Sequence, residues 1–175
     1  MTLQPKEIEM NDKITARHLE IIAARHFNYR TNLIVPNISW GLGLNYEADL
    51  LVVNDRRFVK EIEIKISFSD LKADISKNKF IAQCFTEKIK QFYYLISPNL
   101  EKRVKDILDI IPEFAGLLLA SEISYSDGKK YFRIKLIKSS KVNRRARPLS
   151  STEYNHLLHL ASMRIWTLKE HLNKV

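Results

Sequence analysis

One cysteine, Cys84, stands in the 175 residues, so no intrachain disulfide can form and no CxxC pair offers thiolates to a metal. The four glycines are scattered. Neither of the common phosphate-cradling glycine loops is present, and no serine-containing nucleophile elbow appears. The opening residues MTLQPKEIEM carry acids where a signal peptide needs an apolar core, and no apolar run approaches the length of a membrane span. A cytoplasmic location and no membrane partner are the expectations. Repeats and low-complexity tracts are also missing. What is in excess is positive charge: 29 Lys and Arg against 20 Asp and Glu, a formal +9. That balance favours a polyanionic partner, nucleic acid ahead of an anionic membrane, with a generally basic soluble protein as the plain alternative. With 45% apolar residues, a chain of this length buries roughly 70% of its unfolded surface and needs no covalent or metal staple.

The hydrophobic periods predict a mixed α/β sheet flanked by helices. Asp12 is placed to cap a helix from Lys13 to about His26, with Ala16, Leu19, Ala23 and Phe27 on one side and Glu20 on the flank of that stripe. TNLIVPNISW reads as a strand interrupted by Pro36, Glu47 to Val53 as a second, and Phe58 to Ser67 as a third after the tight turn NDRR. Ser69 or Asp70 is expected to cap a helix through DLKADISKNKFIAQCF. QFYYLIS reads as a strand, EKRVKDILDIIP as a short helix and AGLLLA as a buried strand. Asp127-Gly128 signals a separate hairpin in ISYSDGKKYFRIKLIK. Residues 1–140 form the expected core, and 141–175 a basic linker and a C-terminal helix packing on it. On that helix Leu157, Leu160, Ala161, Ile165 and Leu168 fall at packing intervals, and Trp166 is expected to pack against the body.

The chemistry concentrates in EADLLVV…FVKEIEIKIS. Side chains two apart in a strand share a face, about 6.5 to 7 Å apart. Glu61, Glu63, Lys65 and Ser67 therefore point one way, and Ile62, Ile64 and Ile66 the other, into a core. A short turn makes the preceding strand a neighbour, so Asp49 can approach Glu63. Two carboxylates about 5 Å apart repel by roughly 3 kcal/mol at an effective dielectric of 20. A lysine, a shared proton or a divalent cation can offset this. Hard oxygen ligands from only two or three side chains suit Mg²⁺ better than a fully caged Ca²⁺. Lys65 beside such an ion is placed to orient or deprotonate water, or to steady charge on a phosphate. Asp70-Leu71-Lys72 and Asp127-Gly128-Lys129 repeat the acid-x-lysine spacing, but at a helix start and in a turn, where solvated charge is the reading.

The stretch from Asp49 through Lys65 resembles the PD-(D/E)xK, or restriction-endonuclease-like, nuclease superfamily. EADLLVV…EIEIKIS.SDLKAD, with FYYLISP and AGLLLA, resembles its MmcB-like DNA-repair branch, over roughly residues 12 to 120. The proline that the family places before the first aspartate is replaced by Ala48. The resemblance implies a restriction-endonuclease-like fold and Mg²⁺- or Mn²⁺-dependent hydrolysis of DNA phosphodiesters, in DNA repair or in phage or mobile-element DNA processing. It implies Asp49 and Glu63 as metal ligands, the Ile64 carbonyl as a further ligand and Lys65 as the catalytic lysine. Glu20 matches the acid that family members often add from the first helix. Glu61 and Ser67 are the candidates for supporting the site from behind, with pairing to Lys60 or a nearby arginine the alternative for Glu61 and a capping role for Ser67.

Lys72, Lys77 and Lys79, with Lys88 and Lys90, line the helix after the motif and the approach to the next strand; Arg144, Arg145 and Arg147, with Lys141, form a denser cluster. Both groups are candidates for phosphate contact, with solvated surface the alternative. Trp40 is read as core packing, with base stacking as the alternative. His156 and His159 lack the neighbours that a metal site needs. A homodimer is compatible with this reading. Two rivals remain: a non-catalytic nucleic-acid-binding or repair-accessory module on the same fold, and a protein–protein adaptor whose charge serves solubility.

Overall fold

The computed structural model of the chain describes residues 14–39, 42–44, 46–76, 87–124 and 130–173. Three antiparallel strands open the sheet: β1 (Leu33–Ile38), β2 (Ala48–Val53) and β3 (Val59–Lys65). Pro36 is tolerated inside β1 because β1 is an edge of the sheet, with β2 its one neighbour among the described residues. The turn between β2 and β3 closes on an Arg57 N–H to Asn54 carbonyl bond of 2.9 Å. β4 (Ile89–Ile96) then lies parallel to β3, β5 (Gly116–Ser124) parallel to β4, and β6 (Lys130–Lys138) antiparallel to β5. The six strands lie side by side in chain order.

One expected boundary is corrected. AGLLLA and the first arm of the hairpin are a single strand, since Ser121 and Glu122 pair with Arg133 and Phe132 without a break. Nothing between Ala120 and Ile123 supplies turn chemistry. The Asp127-Gly128 turn lies outside the described residues, as do Asp12, Trp40, Lys77 and Lys79.

Strand alternation sends side chains to two layers. On one face, α1 (Ala16–His26) lays Leu19, Ile22 and Ala23 against Leu50, Val52, Ile62, Ile64, Tyr93 and Leu95. Burying each such aliphatic side chain is worth about 1.5–3 kcal/mol. The helix begins at Ala16, later than expected, because Thr15 caps it: its Oγ1 accepts from the His18 N–H. The other face carries two apolar clusters. Leu157 and Leu160 of α4 (Ser151–Leu172) cover Val35, Leu51, Val53 and Val59. Residues of α2 (Phe68–Ser76), a 3-10 turn (Pro98–Arg103) and α3 (Val104–Ile110) cover Phe92, Tyr94, Ile96, Leu117 and Leu119. The charged row of β3 runs between these two clusters.

The C-terminal helix packs only through its first half. Beyond Ala161 every described residue is exposed, so Ile165, Trp166 and Leu168 do not pack on the body as expected. Its start is clamped. Ser150 caps it, Glu153 accepts from the Ser150 N–H at 2.8 Å, and Arg147 donates two bonds to Glu153 at 2.8 and 2.9 Å. Lys88 adds an ion pair at 2.6 Å. The Arg147 bonds, helped by Lys88 and Ser150 and opposed by burial, hold the Glu153 carboxyl well below its usual range. A carboxyl depressed in the folded state stabilises above its unfolded value and loses that contribution as pH falls through the folded one. Glu153→Gln is therefore expected to cost about 1–2 kcal/mol at neutral pH, allowing for the half-exposed Arg147. The gap from wild type, measured by urea denaturation, should be complete above about pH 5 and close progressively below it.

Candidate active site

Because Ile62 and Ile64 enter the core beneath α1, the alternation turns Glu61, Glu63 and Lys65 toward the opposite face. All three are buried, at 0, 2 and 5% exposure. Ile66 does not continue the inward row; β3 ends at Lys65 and Ile66 is exposed. The β2–β3 ladder runs from Val53/Val59 to Leu50/Ile62, so the next pair in register is Asp49 and Glu63. There the regular pairing stops, and Asp49 Oδ2 accepts the Ile64 N–H at 2.7 Å. The N–H and C=O of one strand residue leave by the same edge. The Lys65 carbonyl is taken on the β4 side by the Ser97 N–H at 3.1 Å. The Ile64 carbonyl therefore leaves on the Asp49 side, and the end of β3 gathers two carboxylates and one carbonyl.

The charges feel one another. Burial raises the Glu63 carboxyl, Asp49 raises it further, and Lys65 pulls it back. Burial also raises Glu20, again with Asp49 adding to it, against Arg17 and a hydrogen bond with Asn37. Asp49 thus stands within Coulomb reach of acids from both β3 and α1. Lys65 Nζ lies 2.9 Å from Glu63 Oε1 and 3.6 Å from Asp74 Oδ1. Burial alone would lower its ammonium, but Glu63 and Asp74 outweigh that, and Lys65 is held as a cation.

Asp74 is the residue the sequence reading missed. It is 3% exposed on α2, and Tyr94 Oη donates to it at 3.4 Å. Burial and then Asp74 push the Tyr94 hydroxyl far up, so it remains a donor. A signal existed: Phe68, Leu71 and Ile75 form the apolar stripe of α2, and Asp74 follows Leu71 by three residues, on the packed side.

Glu61 lies one pleat further back and accepts from Tyr46 Oη at 2.8 Å. Ser67 does not support the acids; its Oγ accepts the Asp70 N–H at 3.1 Å and caps α2 in place of Ser69 or Asp70. Lys72 Nζ and Arg103 sit over the Phe68 ring at 4.7 and 4.5 Å, placing two cations just past the end of β3. Arg144 and Arg145 are exposed at the far end of β4, where Asn143 bonds to the Lys90 and Ile89 carbonyls. Ile89 pairs with Val59, six residues before Lys65, or about 20 Å along the strand. Arg147 shares that end and is engaged by Glu153. The fold therefore brings Asp49, Glu63, Ile64 and Lys65 together, leaves Glu20 within Coulomb reach of Asp49 alone among these, and sets the arginine cluster away from them.

Among the described residues no three His, Cys, Asp or Glu groups are grouped so as to hold a metal ion by themselves. The donor set that does converge is hard, two carboxylates and a carbonyl, and would leave most of an ion's coordination to water or phosphate, as Mg²⁺ prefers. No helix among the described residues is long and apolar enough to cross a membrane.

No family model matches the chain, and no curated protein matches it in sequence. Among solved structures it is similar in fold to the SPO1766 protein of unknown function from Silicibacter pomeroyi, with a TM-score of 0.58 and 13% identity over 93% of this chain and 94% of that one. The likeness is one of architecture: a mixed α/β sheet flanked by helices.

Proposed function

We propose that the end of β3 is the active centre of a metal-dependent nuclease that hydrolyses DNA phosphodiester bonds, a member of the restriction-endonuclease-like superfamily close to its MmcB-like repair branch. One observation carries this reading: Asp49 accepts the Ile64 N–H at 2.7 Å, beside a Glu63 carboxyl raised first by burial and then by Asp49, two residues before a buried lysine. Asp49, Glu63 and the Ile64 carbonyl would hold Mg²⁺ or Mn²⁺, with Glu20 as a further acid. The ion, when bound, supplies Lewis acidity and a more acidic water. Lys65, kept protonated by its two carboxylates, steadies negative charge on the scissile phosphate rather than removing a proton. Arg17, Lys72 and Arg103 are the nearby cations for the nucleic-acid backbone, with Arg144 and Arg145 as a separate basic patch.

A second reading has its own support. Lys65 is already engaged by two buried acids, which suits a structural ion-pair cluster in a DNA-binding or repair-accessory protein on the same fold. A supercoiled-plasmid assay with Mg²⁺ or Mn²⁺ against EDTA, paired with DNA binding at several salt concentrations, separates the two. The nuclease reading expects metal-dependent nicking and affinity that drops steeply with salt. Salt-dependent binding without nicking under either metal points to the accessory. Absence of any salt-dependent binding removes both.

A further inference from the structure

α4 carries an apolar row that the body covers only in part: Ala161 is half-buried against the cluster of Leu157 and Leu160, and the rest of the row is exposed. Leu158, Ala161, Ile165, Leu168 and Leu172 succeed one another at intervals of three, four, three and four. Leu158, Ile165, Leu168 and Leu172 are 44, 56, 44 and 65% exposed. This is the a/d spacing of a coiled-coil seam, in which knobs of one helix fill holes of another. The helix is fixed to its own domain by Leu157, Leu160 and a 2.7 Å bond from Arg164 Nη2 to the Asn37 carbonyl. Trp166 belongs to a different side and lies beneath the Lys169 ammonium at 4.8 Å.

We infer that this seam pairs with the same seam of a second copy, and that the two helices run antiparallel. Layers that fill when the row meets itself argue for a second copy, and charge chooses the direction. Ser162 and Lys169 flank the row on one side, Arg164 and His171 on the other. In a parallel pair Arg164 of each copy would face Lys169 of the other, two like-charge contacts. Turned antiparallel, Lys169 faces Ser162 and Arg164 faces His171, and no pair of permanent like charges meets. The same arrangement sets Ile165 against Leu168 and the small Ala161 against the large Leu172, so the layers fill. Covering the row on both copies removes on the order of 1,000 Å², the lower end for a specific interface. Interfaces that small belong to the weak, transient class, and dissociation in the micromolar range is expected. The inference does not depend on the nuclease reading.

Sedimentation equilibrium of the full chain from low to high micromolar concentration tests it. The mass should rise from one chain to two. Leu168→Asp should leave a monomer throughout with its helical circular dichroism intact, whereas Met163→Asp, on the same exposed helix but off the row, should dimerise like wild type. In a Cys84→Ser background, Ala161→Cys chains mixed with Leu172→Cys chains should cross-link to each other on oxidation. A wild-type monomer at high micromolar concentration, a dimer that survives Leu168→Asp, or Leu172→Cys chains that cross-link among themselves would each overturn the proposal.

Discussion

Lys65→Met is expected to lower folding stability by about 3–5 kcal/mol, the cost of removing one partner from a buried ion-pair group. Lys65 is 5% exposed between Glu63 and Asp74, at 2.9 and 3.6 Å, and those acids are 2 and 3% exposed. Methionine keeps most of the volume but leaves two carboxylates in a site shared with Tyr94 and within reach of Asp49. They must then take up protons or admit water. The remedy follows from the cause. Adding Glu63→Gln to Lys65→Met should recover part of the loss, because one buried charge disappears with its counter-charge, and the double variant should be more stable than Lys65→Met alone. Urea denaturation of the three proteins measures this without any substrate. A loss below about 1 kcal/mol for Lys65→Met would mean that the pair is screened as an exposed one would be.

The parts of this site that were legible in the sequence are those governed by the two-residue period of a strand. Glu61, Glu63 and Lys65 alternate with isoleucines, so one face had to be charged, and the turn after Val53 brought Asp49 opposite Glu63. Asp74 was not legible in the same way. Its burial depends on how the helix after β3 settles over Tyr94, a tertiary outcome, and its neighbours Lys72 and Asp70 disguise a packed position as a solvated one. The C-terminal helix shows the same limit from the other side. The spacing of Leu157, Leu160, Ile165 and Leu168 identifies apolar positions, but the point at which α4 runs past the sheet decides which are covered. Arg147 reads as a phosphate contact because its neighbours are basic; Glu153, which it bonds, lies six residues on, across the helix start that Ser150 caps.

Asp49→Asn should separate the chemistry of the site from its architecture. Asparagine keeps an oxygen for the Ile64 N–H that Asp49 now accepts at 2.7 Å, so the junction of β2 and β3 persists. It removes a charge that raises both Glu63 and Glu20, so both carboxyls should move down, which a carbon-13 titration can follow. Relief of that repulsion predicts stability unchanged or higher by up to about 1 kcal/mol. If Asp49 holds the ion, the same substitution should cut metal-dependent cleavage by about 10³-fold, roughly 4 kcal/mol of transition-state stabilisation. Asp49→Ala should lose activity to the same degree but also destabilise by about 1–2 kcal/mol, since the buried Ile64 N–H then lacks its acceptor. Opposite signs in the two readouts for asparagine would identify a carboxylate retained for its charge at a cost to the fold. Matching losses in both would instead make Asp49 a structural anchor for β3, and the nuclease reading would fail with it.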